Sequence, residues 1–437
     1  MKICVVGAGY VGLVAALSFA KYKNNVICVD KDIKKVKQLN KGIPTIYEEG
    51  LKPLLNKCLK KKHILFTDNI NKAIDLSDVI MIAVGTPTKP DWSVDVSQVV
   101  DASIEISKEI NQYKVIIIKS TVPVGTHEVV ENILLKNGVD RKDFDIVSNP
   151  EFLREGRALN DFLHGDRMVI GCKSEKAQKV MDNLYSPFKT KIINTNPPTA
   201  ELIKYASNAL LATKISFINE MANLCSKVDA NIDTLSYGLG LDSRISSEFL
   251  RAGIGYGGSC FPKDTKALVN IGEKYGCEFN IVRSTIKVNE NQRLKPVEIL
   301  LDHYNNIEGK IISLLGLTFK PGTDDIRDAP SLFIIDELLQ MGAHIRCYDP
   351  MVSEEIKSLF PNITYCDSIE DTVRDSYCTI ICTELDEFFM MDLESIAKKM
   401  KKRMLIDGRN MIDIEEARKS GFIYYYSIGN GSFGNKK

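Results

Sequence analysis

The chain has 437 residues, of which 44% are hydrophobic and 26% are charged, and its 57 basic side chains equal its 57 acidic ones in number. This composition is that of an ordinary globular protein with two or three domains, and it gives no reason to expect a nucleic-acid or membrane partner. The eleven cysteines are scattered without a CxxC pair, so we expect reduced thiols in a cytoplasmic protein rather than disulfides or a metal site.

The chain begins with an apolar segment over residues 2–6, typical of a buried strand, followed by the sequence GAGYVG. Between a strand and a helix, Gly7 makes the tight turn, Gly9 lets a pyrophosphate approach the backbone, and Gly12 lets the helix pack on the strand. The next predicted strand ends at Asp30, whose carboxylate suits the ribose hydroxyls and repels a 2′-phosphate. The sequence therefore predicts a dinucleotide site that prefers NAD to NADP.

Further strands of this α/β region are predicted over about residues 79–84, 115–119 and 145–148. Since ligands bind beyond the carboxyl ends of parallel strands, we expect the loops after these strands to border one cofactor crevice. The polar residues in these loops are Thr86, Thr121 and Glu155. Each of them is also a common turn or capping residue.

A helical apolar periodicity without proline or glycine follows, from residue 200 to about residue 228. Lys204 and Asn208 lie four positions apart and therefore share one helix face, where a cation and an amide together suit an oxyanion. The alternative is a solvated Lys–Asn pair. Further helices are predicted over about residues 263–275 and 281–304.

A glycine-rich segment, GIGYGGSCFPKD, precedes the helix predicted from residue 263 and contains Cys260. Pro262 is typical of a first helical turn, so we expect Cys260 at or just before a helix N-terminus, where the helix dipole favours the thiolate. Lys263 adds positive charge, and Asp264 is a candidate for proton transfer or for holding a water. The alternative is a structural cysteine in a tight turn.

A second strand–helix pattern without GxGxxG starts after Gly309. Its strand ends carry Lys320, Arg327 and Arg409, cations that suit a diphosphate. The fold class that we predict is α/β, with two Rossmann-like doubly wound domains joined by a central helical domain. The predicted boundaries are 1–196 for an NAD-binding domain, 197–304 for the helical domain and 305–437 for a nucleotide-sugar domain.

These parts together favour the oxidation of an alcohol through an aldehyde to an acid. A simple alcohol dehydrogenase needs no nucleophile, whereas a thiolate captures the aldehyde as a thiohemiacetal, which a second hydride transfer converts to a thioester. A lysine and an asparagine suit the oxyanions of both steps, and a carboxylate suits the activation of water. The second nucleotide-type domain suits the diphosphate and base of a sugar nucleotide.

Eight motifs spread over nearly the whole chain carry a resemblance to a known family. They are GAGYVG from residue 7, GTP from 85, KSTVPVGT from 119, NPEFLREG from 149, ELIKYASNALLATKISFINE from 201, FLRAGIGYGGSCFPKDTKAL from 249, GLTFKPGTDDIRDAPS from 316 and DGRN from 407. In these motifs the chain resembles the nucleotide-sugar 6-dehydrogenases, the UDP-glucose/GDP-mannose dehydrogenase family. The resemblance implies NAD-dependent, four-electron oxidation of UDP-glucose to UDP-glucuronate by a homodimer built around the middle helices.

The resemblance also implies catalytic roles. Cys260 is then the nucleophile, and Lys204 and Asn208 stabilise oxyanions. Asp264 orients and activates water with help from Thr121.

Binding roles follow from the same resemblance. Glu151 and Glu155 flank the reacting sugar, and Glu155 is also a candidate for thioester hydrolysis. The implied NAD contacts are Gly7, Gly9, Tyr10, Val11, Gly12, Asp30, Lys35, Thr86, Thr121, Glu155, Lys263 and Arg327. The implied UDP-sugar contacts are Phe152, Leu153, Arg154, Glu155, Lys204, Arg244, Phe249, Leu250, Arg251, Ala252, Gly253, Gly257, Lys320 and Arg409.

Alternatives remain within and outside this family. Ser259 stands where relatives that act on N-acetylated UDP-sugars tend to have histidine, and the approach FLRAGIGYGG is usually missing from relatives that act on GDP-mannose. Both points favour UDP-glucose, with GDP-mannose or another nucleotide sugar as the alternative. A two-electron β-hydroxyacid dehydrogenase would leave Cys260 without a role, and a catalytically silent protein would bind the cofactor without turnover.

Overall fold

The computed structural model of the protein describes residues 1–352 and 354–434, which form two compact units. The first unit contains Met1–Ser207 with Asn270–Gly276, and the second contains Asn208–Val269 and the chain from Cys277 onward. Each unit contains a largely parallel sheet with helices, so the two predicted α/β domains are confirmed, with a helical region between them in sequence. Within the described residues, no helix is both long and apolar enough to span a bilayer.

The strands and helices of the first unit can be given in chain order. The strands are β1 (Lys2–Val6), β2 (Asn25–Val29), β3 (Ile64–Thr67), β4 (Val79–Ile82), β5 (Lys114–Ile118), β6 (Phe144–Ser148), β7 (Arg167–Cys172) and β8 (Lys191–Thr195). The helices are α1 (Tyr10–Lys21), α2 (Ile33–Asn40), α3 (Leu51–Lys60), α4 (Ile70–Asp75), α5 (Ser97–Lys108), α6 (Thr126–Lys136), α7 (Ala158–His164), α8 (Glu175–Tyr185) and the first part of α9 (Pro197–Val228).

The first sheet has the strand order β3-β2-β1-β4-β5-β6-β7-β8, and its pairs are parallel except for β6 with β7. Side chains of β1 alternate between two cores, with Ile3 and Val5 on one face and Cys4 and Val6 on the other. Because both faces are covered, the central strands are apolar almost throughout. The strand order reverses between β1 and β4, and the loops after these two strands therefore border the same crevice.

The second unit contains the rest of α9 and most of α11, followed by the second sheet and its helices. The helices are α10 (Ile232–Gly240), α11 (Phe261–Lys274), α12 (Asn280–Arg293), α13 (Lys295–His303), α14 (Pro330–Gln340), α15 (Glu354–Leu359), α16 (Ile369–Val373), α17 (Asp386–Phe389), α18 (Leu393–Lys399) and α19 (Ile414–Lys419). The strands are β9 (Ile311–Leu315), β10 (His344–Tyr348), β11 (Thr364–Tyr365), β12 (Cys378–Ile381), β13 (Met404–Asp407), β14 (Tyr424–Ser427) and β15 (Ser432–Phe433).

The second sheet has the order β11-β10-β9-β12-β13-β14-β15, with β15 antiparallel to β14. Its central strands thus repeat the doubly wound order of the first sheet. Gly316 takes a left-handed φ of +87° directly after β9, and Asp349 directly after β10 accepts the backbone N–H groups of Leu317 and Thr318 at 2.7 and 3.0 Å. The turn after β9 is therefore closed by a carboxylate from the neighbouring strand.

Two differences from the sequence prediction concern the helical region. The helix expected over residues 281–304 is two helices, α12 and α13, which meet at Leu294. Pro296 lies in the first turn of α13, where a missing N–H is tolerated, whereas inside a continuous helix it would break a hydrogen bond. The short helix α10 was not predicted, since Gly238 and Gly240 weaken its pattern. The domain boundaries stay a prediction.

Candidate active site

The loop after β1 has the geometry of a nucleotide-binding turn. Gly7 has a φ of +103°, and a Cβ there would lie 2.5 Å from the carbonyl oxygen of Ala83. A Cβ on Gly12 would lie 1.8 Å from the carbonyl oxygen of Gly7, so only glycine allows α1 to pack so closely. A Cβ on Gly9 would meet nothing within 4 Å. This open space lies beside the first turn of α1, which begins with Tyr10 and Val11, and it fits a pyrophosphate.

Asp30 lies beside this turn, at the end of β2. Its Oδ2 accepts the backbone N–H of Ala8 at 2.9 Å and lies 3.3 Å from Lys35 Nζ. Burial acts to raise the pKa of Asp30, but the backbone N–H groups of Asp32 and Ala8, together with Lys35, hold it below its usual value. Asp30 is therefore an anionic acceptor, as a ribose diol requires, and the residues at this turn fit NAD.

Tyr10 connects the first turn of α1 to the loop after β6. Its hydroxyl donates to Glu48 Oε1 at 2.6 Å and accepts the backbone N–H of Gly156 at 2.6 Å. Glu48 Oε2 also accepts the N–H of Leu159 at 3.1 Å. No sequence motif indicates a role for Glu48, which is distant from both partners along the chain.

The loops after β4 and β5 contact each other as the parallel order predicts. Thr86 Oγ1 donates to the carbonyl oxygen of Thr121 at 2.8 Å, and Ser120 Oγ donates to that of Val84 at 2.7 Å. Thr86 and Thr121 are thus joined directly.

A buried ion pair links the loop after β6 to α9. Lys204 Nζ lies 2.9 Å from Glu151 Oε1, while Glu151 Oε2 accepts the backbone N–H of Leu153. Burial acts to raise the pKa of Glu151, but the Lys204 ammonium, with the Leu153 N–H, holds it below its usual value. The pair therefore places an oriented cation and an anion in a site with little water.

The neighbouring residues of this loop also have contacts in the first unit. The Arg167 guanidinium lies 4.0 Å from the centre of the Phe152 ring, and Lys204 Nζ lies 5.6 Å from it. Arg154 is exposed and forms an ion pair with Asp161 at 2.7 Å. Glu155 is half-buried.

Cys260 lies directly before α11 in the second unit, as predicted. It is half-buried, and its Sγ lies 3.5 Å from Ser259 Oγ. Asp264 lies in the first turn of α11, is fully buried, accepts Asn208 Nδ2 at 2.6 Å and forms an ion pair with Lys263. Cys260 is therefore a half-buried thiol at the N-terminus of α11, and helix N-termini in general favour a thiolate.

Three side-chain amides that the sequence did not single out hold the segment leading to Cys260. Gly253 N donates to Asn219 Oδ1 at 2.9 Å, and Gln292 Nε2 donates to Gly253 O at 2.8 Å. Asn289 accepts from the N–H of Tyr256 at 2.8 Å and donates to its carbonyl at 3.0 Å. Buried backbone groups that lack strand or helix partners are satisfied in this way.

Close backbone packing explains the glycines next to Cys260. A Cβ on Gly257 would lie 2.3 Å from the carbonyl oxygen of Asp328, and one on Gly258 would lie 2.7 Å from the Phe319 ring. Gly258 N also donates to Arg327 O at 2.8 Å. The Cys260 segment is thus tied to the loop after β9.

The segment from Phe249 to Gly253 lies beside the DGRN motif. Leu250 and Ala252 are buried, and Arg251 donates to Arg409 O at 3.3 Å. Phe249 has a φ of +64°, and its ring centre lies 6.2 Å from that of Phe261.

Arg409 itself is engaged by protein groups of the second unit. Its Nε donates to Cys382 O at 2.8 Å, its NH1 donates to Gly255 O at 3.2 Å, and Glu384 forms an ion pair with it at 3.3 Å. Arg409 therefore also stabilises the cysteine segment.

The remaining predicted cations lie at the surface or half-buried. The exposed side chains of Arg244 and Arg327 form ion pairs with Asp242 at 2.5 Å and Asp325 at 2.7 Å. Lys320 Nζ lies 5.4 Å from the centre of the Phe319 ring. Their predicted ligand contacts stay predictions.

Comparison with known proteins shows similarity over nearly the whole chain. The NAD binding domain, central domain and UDP binding domain of the UDP-glucose/GDP-mannose dehydrogenase family match residues 1–189, 198–291 and 313–414. Two UDP-glucose 6-dehydrogenases of Bacillus subtilis are 45% and 43% identical to the chain, covering 98% of it and 93% and 98% of their own lengths. A solved UDP-glucose dehydrogenase from Pyrobaculum islandicum superimposes with a TM-score of 0.91 at 34% identity, covering 98% of this chain and 97% of that one.

Proposed function

The chain belongs to the UDP-glucose/GDP-mannose dehydrogenase family and is an NAD-dependent dehydrogenase, and we propose that it oxidises UDP-glucose to UDP-glucuronate with two NADH formed per sugar. The observation that carries the proposal is Cys260, a half-buried thiol directly before the 14-residue helix α11 with buried Asp264 in its first turn. The identity to UDP-glucose 6-dehydrogenases over nearly the full length supports this substrate.

The proposed role of Cys260 is to retain the aldehyde between two oxidations. The first oxidation removes a hydride and a proton from the C6 alcohol. The Cys260 thiolate then adds to C6 and forms a thiohemiacetal. A second hydride removal gives a thioester, and water cleaves its C–S bond, releasing the carboxylate and regenerating the thiol. NAD supplies the hydride acceptor for each oxidation.

Other residues of the proposed active site stabilise oxyanions and orient the hydrolytic water. Lys204 and Asn208 stabilise the oxyanions of thiohemiacetal formation and thioester hydrolysis. Asp264, which Asn208 contacts at 2.6 Å, orients water together with Thr121, and Glu155 is a further candidate for the hydrolytic step.

Binding is assigned to the strand-end loops. The residues proposed to hold NAD are the GAGYVG loop with Asp30, Lys35 and Thr86. The residues proposed to hold the UDP-sugar are those of the Phe249–Gly253 segment with Gly257 and Lys320. Arg327 and Arg409 remain further candidates for these ligands.

The proposal includes a homodimer that pairs through α9. Leu210, Phe217 and Leu224 follow one another at intervals of seven residues and are 64%, 49% and 50% exposed. Three large apolar side chains along one stripe of a long helix are typical of a face that packs against another helix. In a homodimer, α9 of the second copy would cover this stripe.

Counting NADH per UDP-glucose consumed, with purified protein and limiting sugar, tests the proposed reaction. We expect two NADH per sugar and UDP-glucuronate as the product. One NADH per sugar with release of an aldehyde or ketone would contradict the thioester scheme. Absence of NADH with UDP-glucose, but formation with GDP-mannose or an N-acetylated UDP-sugar, would reassign the substrate.

A further inference from the structure

Two buried lysines flank β5: Lys114 is its first residue and Lys119 directly follows its last, and they are 0% and 1% exposed. A buried ammonium is unfavourable unless polar groups surround it, so each lysine needs an explanation. The burial of Lys114 has a structural explanation. Its Nζ donates to Ile74 O at 2.9 Å and Ser77 O at 2.7 Å and so satisfies carbonyls at the end of α4.

Lys119 faces the loop that carries Glu151. Its Nζ donates to Asn149 Oδ1 at 3.1 Å and to Pro150 O at 3.4 Å, the two residues directly before Glu151. The rings of Phe162 and Tyr185 lie 5.5 and 5.9 Å from Nζ. Nζ also lies 4.0 Å from Met168 Sδ. All three acceptors are neutral, and the two oxygens belong to the segment that leads directly into Glu151.

Around Glu151, two positive charges face one negative charge. Lys119 and Lys204 share the surroundings of one carboxylate, Glu151, which pairs directly with Lys204 at 2.9 Å. Burial lowers the pKa of Lys119 to about 7, with Glu151 acting to raise it and Lys204 acting to lower it. Tyr185, whose hydroxyl donates to Asn149 Oδ1 at 2.5 Å, is a further titratable group that faces Lys119.

We propose that Lys119 is a positioning residue, which holds residues 149–151 so that the Glu151 carboxylate engages Lys204 and orients its ammonium toward the reacting oxygen. The inference rests on the proposed function, in which Lys204 stabilises an oxyanion. It adds a residue that contacts no reacting atom and acts through its hydrogen bonds to Asn149 and Pro150.

Two matched substitutions test it, Lys119→Met and Lys114→Met, which remove the same buried charge from the two ends of one strand. Both variants should melt at lower temperature than the wild type. Lys119→Met should lower kcat roughly tenfold, since a small displacement of a catalytic group has effects of this order or larger, and should leave KM for NAD near the wild-type value. Lys114→Met should leave kcat unchanged.

The pH profile separates positioning from general destabilisation. Glu151 loses a nearby positive charge in Lys119→Met, so its pKa should rise, and the acid limb of kcat should move to higher pH. Lys119→Gln keeps an N–H donor and should retain more activity than Lys119→Met. If Lys119→Met has the kcat and pH profile of Lys114→Met, the inference is wrong.

Hydrogen exchange provides a readout that does not require activity. Peptides covering residues 149–157 should exchange faster in Lys119→Met than in the wild type, and Lys114→Met should show the wild-type rate there. If the wild type turns over no nucleotide sugar, the proposed function is wrong. The exchange comparison still shows whether Lys119 holds residues 149–151 in place. Unchanged exchange of these peptides in Lys119→Met would overturn the inference.

Discussion

Single residues in this protein acquire their chemistry from their immediate neighbours. Cys260 is one of eleven cysteines; it is half-buried and lies directly before the first residue of α11. Cys4, Cys28, Cys378 and Cys382 lie in or beside strands, where burial raises the pKa of the thiol and leaves it unreactive.

The first prediction concerns this difference. Replacing the proposed nucleophile in Cys260→Ser should lower the steady-state rate of NADH formation by about 10³-fold or more, because a serine hydroxyl is a far weaker nucleophile than a cysteine thiolate. Cys277→Ser makes the same change at an exposed cysteine and should retain wild-type turnover. Two NADH per sugar at the normal rate from Cys260→Ser would rule out the covalent role.

The second prediction concerns the buried pair of Glu151 and Lys204. Glu151→Gln leaves a buried ammonium without its carboxylate and should destabilise the protein by about 3 kcal/mol at pH 7. Because the pKa of Glu151 is lowered on folding, its stabilising effect is present above the usual value of 4.5 and is lost as the pH falls through the lowered value. The difference in melting temperature between the wild type and Glu151→Gln should therefore be smaller at pH 4 than at pH 7.

Exposed Glu49 provides the control for this pair. Glu49→Gln should follow the wild-type melting temperature at both pH values. A difference between Glu151→Gln and the wild type that stays constant from pH 7 to pH 4 would show that folding does not lower the pKa of Glu151.

At the scale of elements, the Cys260 segment is kept in place from several sides. Asn219 of α9 and Asn289 and Gln292 of α12 satisfy its backbone groups, and the loop after β9 packs on its glycines. The position of the thiol therefore depends on elements far from it in sequence, and a substitution that only displaces the segment should reduce activity.

The third prediction tests this dependence with alanine at two glycines. A Cβ on Gly257 would lie 2.3 Å from a backbone oxygen, so Gly257→Ala should shift the segment, lower kcat roughly tenfold and lower the melting temperature. Gly238→Ala, in α10 with nothing within 4 Å of the added atom, should leave kcat unchanged and add about 0.5–1 kcal/mol of stability. Equal kinetics for the two variants would mean that the segment tolerates displacement.

The sequence revealed those features that depend on neighbours along the chain. The turn with Gly7, Gly9 and Asp30 follows from fixed spacing, and Pro262 predicts the start of α11. The contacts of Lys119 with Asn149 and of Tyr256 with Asn289 join residues 30 and 33 positions apart. Such pairs depend on how the elements pack, which a single sequence does not show. Only the position of Lys119, a lysine directly after an apolar strand, is visible in the sequence.

At the scale of the whole molecule, one strand order occurs in both sheets with two different turns after the first strand. In the first unit the turn after β1 leaves open space at Gly9, and Asp30 accepts one turn N–H. In the second unit the buried Asp349 accepts two turn N–H groups and lies beneath the loop after β9. The first arrangement suits a dinucleotide at the turn, whereas the second favours ligand recognition by side chains of the later loops.

The last prediction concerns assembly. Phe217 is the central member of the exposed stripe with Leu210 and Leu224, so a charge at this position would be buried without a partner wherever two copies of α9 pack together. Phe217→Glu should therefore weaken association roughly a hundredfold, equivalent to about 3 kcal/mol, and shift the mass measured by light scattering from dimer toward monomer. Met390→Glu places the same charge at a side chain that is 81% exposed after α17 and should leave the mass unchanged. A monomeric wild type would contradict the proposed dimer, and a Phe217→Glu variant that remains dimeric would place the interface away from this stripe.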